Sequence, residues 1–332
     1  MIARSLLIES LMAVGGALRN LPEETLELAI QHNPWFTRYY IEHARDQILP
    51  WFDRTSLSEF LASYPQPSGN RGIIGIITAG NLPFVGLHDV LMGVLSGNQV
   101  RVKLSRQDSV LMNWFIQTWQ DILPELRTQL QVVEAFPSLD YLLATGSDNS
   151  ARYFQAIQPG VNAIIRKNRF SVARVSPNTS SEEFHALGDD IFLYNGLGCR
   201  NVSNLFIEDG TNLTLLQKSL TAYPKQKLNP LYLKKVKQER ARLNLKGAAF
   251  RDWDSILAIS NTGLSNMPMG CLNLIMEKDS IDFNGLVQQN AHRIQCAVGL
   301  VEAIGSSQAP RLQDFADGVD TLQKLLTDWK HT

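Results

Sequence analysis

The chain has 332 residues, 44% of them apolar, and a formal net charge of −1. That length buries a large core and leaves room for two domains, and the balanced charge excludes a global pull toward nucleic acid or an anionic membrane. The three cysteines, Cys199, Cys271 and Cys296, have no metal-ligand spacing and an odd count for pairing, which argues against a disulfide scaffold and suits a reducing cytoplasm.

The segment from Met1 to Met12 is apolar but interrupted by Arg4 and Glu9, and has no clear cleavage site. No run reaches the ~18 apolar residues of a membrane span. The chain therefore reads as soluble and cytoplasmic. Residues 1–63 read as helices. Pro22, Glu23 and Glu24 suit a helix first turn, and Asn33-Pro34 ends that helix. Ser56 and Glu59 have the spacing of a capping box ahead of Phe60 and Leu61. Tyr64 to Asn70 (YPQPSGN) reads as a linker.

Beyond the linker, strands and helices alternate. Strands are predicted over 72–78, 99–104, 130–134, 140–144, 161–166 and 171–175, and helices over 84–96, 107–122 and 149–158. Short β-branched strands alternating with helices predict an α/β fold with a doubly wound parallel sheet. Ligands in such sheets sit at the carboxyl ends of strands. Asn81, Lys103 and Gly146 each follow a predicted strand, so the topology allows them to face one crevice. From about residue 177 the alternation loosens. A basic helical stretch runs from Lys225 to Lys246, and Asp314 to Trp329 reads as a helical tail.

Two segments carry candidate chemistry. The first, Gly72 to Phe84 (GIIGIITAGNLPF), is a buried strand and a glycine turn, and it continues through an apolar helix to a second strand ending at Lys103. This is half of a dinucleotide-binding unit without the GxGxxG fingerprint. The second is Asn195-Gly196-Leu197-Gly198-Cys199-Arg200-Asn201, a thiol preceded by two glycines and followed by the strand-like run Val202 to Ile207. Glycines let a backbone approach a substrate closely. Arg200 and nearby backbone N–H groups are expected to favour the thiolate, the reactive form of cysteine. Cys271 and Cys296 lie in apolar surroundings and read as structural.

Four motifs occur in order: Asn81-Leu82-Pro83 after a strand, Lys103-Leu104-Ser105 after a second, the turn Thr145-Gly146-Ser147, and a later cysteine before a strand. Each is weak alone; the ordered set over residues 70–325 resembles the aldehyde dehydrogenase superfamily. It is most similar to the acyl-CoA reductase branch, the family of the fatty acid reductase of bacterial bioluminescence. The resemblance implies an aldehyde dehydrogenase-like α/β fold with a Rossmann-type dinucleotide-binding domain and a second α/β catalytic domain. The implied parts are a helical N-terminal segment packed on the cofactor domain (1–68), the dinucleotide-binding domain (69–165), a catalytic domain carrying Cys199 (166–305), and a C-terminal segment returning to the cofactor domain (306–332).

The resemblance also implies roles. Cys199 is the nucleophile that attacks an acyl thioester. Asn81 is an oxyanion-hole donor, although read alone it is a turn asparagine. Thr78, Ala79 and Gly80 line the cofactor turn. Lys103 and Ser105 bind the adenosine side of the cofactor. Thr145, Gly146 and Ser147 meet its pyrophosphate near the start of the next helix, with a plain helix cap as the other reading of Ser147. Where the superfamily often has an acid that holds the ribose 2′-hydroxyl, this chain has Arg106. An arginine attracts a 2′-phosphate, which points to NADPH (NADP) over NADH. Read alone, Arg106 is a solvated basic strand end.

Aldehyde-oxidising members carry a glutamate that activates water against the acyl-enzyme. This chain has Arg166 at the aligned position, in the run Ile165-Arg166-Lys167-Asn168-Arg169. Slow hydrolysis suits a reductase, whose acyl-enzyme must survive until hydride arrives. The leading expectation is NADPH-dependent reduction of a fatty acyl-CoA, or another acyl-carrier thioester, to an aldehyde by way of acyl-Cys199. An acyl-phosphate reductase similar to the glutamyl-phosphate reductases and a non-catalytic scaffold member of the fold are the alternatives. The basic stretch offers a place for CoA phosphates or a carrier's acidic face, and a solvated helix face otherwise. Bioluminescence relatives work beside an acyl-transferring protein partner, which the sequence leaves open, as it does an oligomer. No metal site is expected.

Overall fold

The computed structural model describes residues 2–67, 72–146, 160–276 and 282–327. Ser147 and the helix expected over 149–158 lie outside the described residues. The chain forms two compact units, Met1–Asn168 with Pro310–Thr332, and Arg169–Ala309.

The first unit opens with α1 (Arg4–Arg19), α2 (Glu23–His32), α3 (Arg38–Ile48) and α4 (Arg54–Ala62). There follow β1 (Ile73–Ile77), α5 (Leu87–Leu95), β2 (Gln99–Lys103), α6 (Ser109–Ile122), α7 (Leu126–Gln129), β3 (Leu130–Val132), β4 (Tyr141–Thr145) and β5 (Asn162–Arg166). Leu7, Leu11, Val14 and Leu18 recur at helical spacing, so α1 buries one face. That face packs on α6, where Trp119 Nε1 donates to Ser10 Oγ at 2.9 Å. As expected, α2 starts behind Pro22 and ends at Asn33. The capping box at Ser56 and Glu59 does not form. The Asp53 carbonyl already accepts from Leu57 N, so α4 begins at Arg54 and Ser56 lies inside its first turn.

The five strands are all parallel, in the order β3-β2-β1-β4-β5. β3 stops at Val132, short of the expected 134. The order reverses between β1 and β4, the point at which open α/β sheets take ligands. Ile74, Ile76, Val100 and Val102 are fully buried. Gly93 lets α5 approach Val100 and Ile76 on that face. The helix starts at Leu87 rather than at 84, because Phe84 has φ of 58°, a left-handed conformation no right-handed helix includes.

The chain's last part belongs to this unit. Trp51 Nε1 donates to Pro310 O at 2.7 Å, His88 Nε2 to Leu312 O at 2.8 Å, and the Tyr64 hydroxyl to Asp320 at 2.8 Å. The tail expected to be helical from Asp314 has a short 3-10 turn (Ala316–Gly318) and an α-helix at Thr321–Thr327, which packs on α5.

The second unit contains β6 (Phe170–Val175), α8 (Ser181–Phe192), β7 (Val202–Ile207), α9 (Leu213–Thr221), α10 (Pro230–Leu245), β8 (Arg251–Asp252), β9 (Leu257–Ser260), β10 (Cys271–Met276), α11 (Phe283–Gln289) and β11 (Ile294–Val298). Its sheet has the order β11-β6-β7-β10-β9-β8, parallel except for the edge strand β8. Phe170, Val172, Phe206, Ile275, Phe283 and Ile294 form its core on one face. Buried polar groups need partners, and here they build a ladder. Asn273 Nδ2 donates to Asn204 Oδ1 at 2.7 Å and to Gly263 O at 2.8 Å, and Asn204 Nδ2 donates to Ser265 O at 3.0 Å. The ladder pins the loop after β9 onto the sheet. Among the described residues no helix is long and apolar enough to cross a membrane, and no His, Cys, Asp and Glu group is arranged to hold a metal.

Candidate active site

The loops leaving β1 and β2 are stitched together. Ile77 pairs with Lys103 on one side and with Ala144 on the other. The strand ends bearing Thr78, Lys103 and Thr145 therefore form one row along the carboxyl edge. Thr78 is buried; its N–H donates to Lys103 O at 3.2 Å and its hydroxyl accepts from Ser105 N at 2.9 Å. Ala79 follows, and Gly80 is packed so closely on the Ser105 side chain that no Cβ fits. Ser105 Oγ accepts from Gln107 N and caps the short turn Arg106–Asp108. Lys103 and Arg106 are exposed at this edge. Gly146 N donates to Arg166 O at 3.2 Å, and Thr145 sits half-buried beside the Arg166 guanidinium.

Asn81 lies in the loop after β1, which continues through Pro83 to the left-handed Phe84. Beneath that loop the Asp108 carboxyl is 2% exposed, with neither oxygen in a well-formed hydrogen bond, although the Phe84 and Val85 N–H groups lie near it. Burial pushes its pKa well above the usual carboxylate range, against the pull of those N–H groups. Arg166 is also buried. Its Nη1 donates to Asp89 Oδ2 at 2.5 Å and its Nη2 to Thr321 Oγ1 at 2.8 Å.

Cys199 stands in the second unit, on the turn between α8 and β7, and its residue is exposed. Before it come three successive residues in the left-handed region: Tyr194 (φ 53°), Asn195 (62°) and Gly196 (67°). A non-glycine residue held there costs about 1–3 kcal/mol, so the surroundings must enforce it. Asn201 supplies much of that force. Its Oδ1 accepts from Gly198 N at 2.8 Å, and its Nδ2 reaches the carbonyls of Leu193 (2.9 Å) and Asp190 (3.2 Å), the latter within the last turn of α8. Asn195 Oδ1 accepts from Asn229 N at 3.2 Å.

A second brace comes from Ser171 on β6. Its Oγ donates to Cys199 O at 2.9 Å and accepts from Cys296 N at 3.0 Å, where β11 slips register against β6. Arg200, expected to face the Cys199 thiol, donates Nε to Ser307 O at 2.6 Å, and its charge bears on Cys296. Ser307 N and Gly305 N in turn donate to the buried Asp190 carboxylate at 2.9 and 2.6 Å. Burial pushes the Cys296 thiol up to about 12, and burial reinforced by the nearby Glu239 carboxylate does the same for Cys271. Both are protonated packing groups at neutral pH.

The profile of the family described as Acyl-CoA reductase (LuxC) matches residues 35–260. The chain belongs to this family. The match spans the strand-end loops from Thr78 to Gly146 and the Cys199 turn. Membership in this family and the fold together support acyl reductase activity. Solved aldehyde dehydrogenases share the fold. Aldehyde dehydrogenase 21 of Physcomitrella patens, in complex with its reaction product succinate, is 11% identical with a TM-score of 0.72, covering 99% of this chain and 85% of that one. A NAD-dependent benzaldehyde dehydrogenase of Corynebacterium glutamicum is 12% identical with a TM-score of 0.64, covering 90% and 76%. The aldehyde dehydrogenase KauB of Pseudomonas aeruginosa is 14% identical with a TM-score of 0.64, covering 93% and 75%. At such identities the likeness concerns architecture. No curated protein matches the chain.

Ser171, Asp190, Asn201 and Ser307 were not singled out by sequence reasoning. Asn201, two residues after the cysteine, stands in the same run without a motif of its own. Asp190 lies in the helix directly before the turn, whereas Ser171 and Ser307 are far from Cys199 in sequence and are brought to it by strand pairing and packing.

Proposed function

We propose that this protein reduces a fatty acyl-CoA thioester to the aldehyde with NADPH, through an acyl intermediate on Cys199. The observation that supports this most is the contrast among its thiols. Cys199 is exposed on a strained, braced turn, whereas Cys271 and Cys296 are buried and protonated.

The Cys199 thiolate attacks the thioester carbonyl, a new C–S bond forms, and the carrier thiolate leaves and takes up a proton. Asn81 donates its side-chain amide to the oxygen that gains charge, a contribution of ~3 kcal/mol for one such donor. When bound, NADPH supplies the hydride that takes the acyl carbon to the aldehyde level. Cys199 is then the leaving group and returns to the thiolate. Arg166, at the aligned place of the water-activating glutamate, is committed to Asp89 and Thr321. That commitment favours an acyl-enzyme that outlasts water.

Residues fit to hold the cofactor are present in the first unit. Lys103 and Arg106 are exposed cations at the carboxyl edge of β2, without an ion-pair partner among the described residues. Their chemistry suits phosphate groups, with Arg106 on the 2′-phosphate. Thr78, Ala79, Gly80 and Ser105 shape the adjoining turn, and Thr145, Gly146 and Ser147 are assigned to the pyrophosphate. In this reading the first unit is the cofactor domain and the second the catalytic one, in a cytoplasmic protein.

Intact-mass spectrometry tests the reading. Incubation with a long-chain acyl-CoA gives a covalent adduct on the wild type and none on Cys199→Ala, and NADPH removes the adduct with release of aldehyde. An adduct from an acyl phosphate but from no acyl-CoA moves the substrate class. No adduct from either overturns the reading.

A further inference from the structure

Cys199 has a second thiol beside it. The Ser171 hydroxyl donates to Cys199 O at 2.9 Å and accepts from Cys296 N at 3.0 Å. Two hydrogen bonds through one oxygen therefore join the two cysteine backbones. Neighbouring strands lie about 4.8 Å apart, so a residue within β7 stands two strands away from β11. The turn ahead of β7 does not keep that distance, because it leans over β6 to place Cys199 O on Ser171.

The side chains also meet on one side of the sheet. Phe170 and Val172 of β6 share a core with Ala297 of β11 on one face. Successive strand residues point to opposite faces, so Ser171 and Cys296 point to the other. The Ser171 hydroxyl is a hydrogen-bond partner of the Cys296 thiol as well, and the charges of Arg200, Glu302 and Cys199 all act on that thiol. Cys271 is not in this group, and the charges acting on it are those of Glu239 and Arg242.

The two thiols differ as a redox pair requires. Cys199 is exposed, whereas Cys296 is 2% exposed and held protonated chiefly by burial. A hydroperoxide in solution therefore meets Cys199 first. Oxidant-sensing thiols are accessible and often stand beside a resolving cysteine. Once Cys199 is a neutral sulfenic acid, its negative charge no longer opposes ionisation of Cys296, while Arg200 still favours it.

We propose that Cys199 and Cys296 form a reversible disulfide when a hydroperoxide oxidises Cys199. In the first step the Cys199 thiolate attacks the peroxide. The S–O bond forms, the O–O bond breaks, and the departing oxygen takes up a proton and leaves as water when the oxidant is hydrogen peroxide. In the second step the Cys296 sulfur attacks the Cys199 sulfur. The S–S bond forms, the S–O bond breaks, and the released hydroxide takes the Cys296 proton and leaves as water. The two thiols lose two electrons and the peroxide gains them. An added thiol reverses the change by exchange. The consequence for activity rests on the reading of Cys199 as the acyl acceptor. The disulfide withholds that nucleophile and guards it from irreversible oxidation to the sulfinic acid.

The test treats the full chain with hydrogen peroxide, blocks remaining thiols and reads intact mass and unreduced peptide maps. The wild type is expected to lose about 2 Da and to give a linked Cys199–Cys296 peptide. It then takes no acyl group from a fatty acyl-CoA, and dithiothreitol restores both the mass and the acylation. Cys296→Ala, with its fold checked by circular dichroism, is acylated within twofold of wild type before peroxide. After peroxide it gains about 32 Da on Cys199, and dithiothreitol does not reverse it. Cys296→Ser repeats the comparison with a side chain of the same shape. A wild type that gains oxygen without forming the link, a Cys199 paired with Cys271 or with a second chain, or variants that oxidise as the wild type does overturn the proposal. If the reduced wild type accepts no acyl group, the acceptor reading fails, and the linked peptide alone then sustains or overturns the pair.

Discussion

Arg166 Nη1 donates to Asp89 Oδ2 at 2.5 Å, with both side chains nearly closed off from solvent. This pair ties the end of β5 to α5, and Thr321 joins it from the C-terminal helix. Removing one partner of a buried ion pair strands the other charge and costs ~3–5 kcal/mol. Urea denaturation of Asp89→Asn and Arg166→Met is expected to show losses of that size. Arg166→Glu supplies the acid expected at this position in an aldehyde-oxidising enzyme, yet it faces Asp89 with a like charge. It is expected to unfold more readily and to gain no hydrolysis of the acyl-enzyme, read as acid released from acyl-CoA.

Asn201→Ala removes the acceptor for Gly198 N and the donor to the Leu193 and Asp190 carbonyls. Each buried group left unpaired costs ~1–3 kcal/mol, and the left-handed Tyr194 and Asn195 lose their clamp. Below its lowered melting temperature, Cys199 of this variant is expected to be acylated at least tenfold more slowly than in wild type, by intact mass.

Alkylation discriminates among the three thiols. Cys271 and Cys296 have pKa values pushed up to about 12, chiefly by burial. Iodoacetamide at pH 7.5 is therefore expected to modify Cys199 alone in the native protein and all three cysteines in urea, by peptide mass mapping.

Asp108 sets a pH dependence of stability. Its folded-state pKa is raised above the unfolded value by burial. The protonated form is the one the fold prefers, so its contribution is complete below the unfolded pKa and is lost as pH rises through the folded one. Asp108→Asn keeps the shape without the charge. Its melting temperature relative to wild type is expected to be higher at pH 8 than at pH 4.

In the proposed reading, Arg106 is the residue on which the cofactor preference turns. Arg106→Asp places an acid beside the position assigned to the ribose. Fluorescence titration is expected to show at least a tenfold loss of affinity for NADPH with NADH much less affected. An equal loss for both removes Arg106 from the 2′-phosphate assignment.

Local chemistry carried much of the architecture. Runs such as Ile73–Ile77 and Tyr141–Thr145 are apolar and β-branched or aromatic enough to be buried parallel strands whatever surrounds them. Helix ends were less legible. The Ser56 box matched the pattern but lost to a backbone already turning at Asp53, whereas Ser180 and Glu183 form a complete capping box ahead of α8 that sequence reading passed over. Alternation alone also did not show where one sheet stops, and Phe170–Val175 opens the second sheet rather than extending the first.

The sequence by itself determined the order of chemical groups along the chain. An asparagine-proline loop follows one strand, a lysine-serine end follows the next, and a cysteine stands between glycines and a strand. Those are local facts, set by residue type and spacing. Only the tertiary structure decided what holds them. Ser171 reaches Cys199 from 28 positions away, and Thr321 reaches Arg166 from 155 away. Arg200, adjacent to the cysteine in sequence, turns instead to Ser307. The physical reason is that a buried polar group takes the partner that strand register and helix packing bring within hydrogen-bond reach, and neither is written in the neighbouring residues.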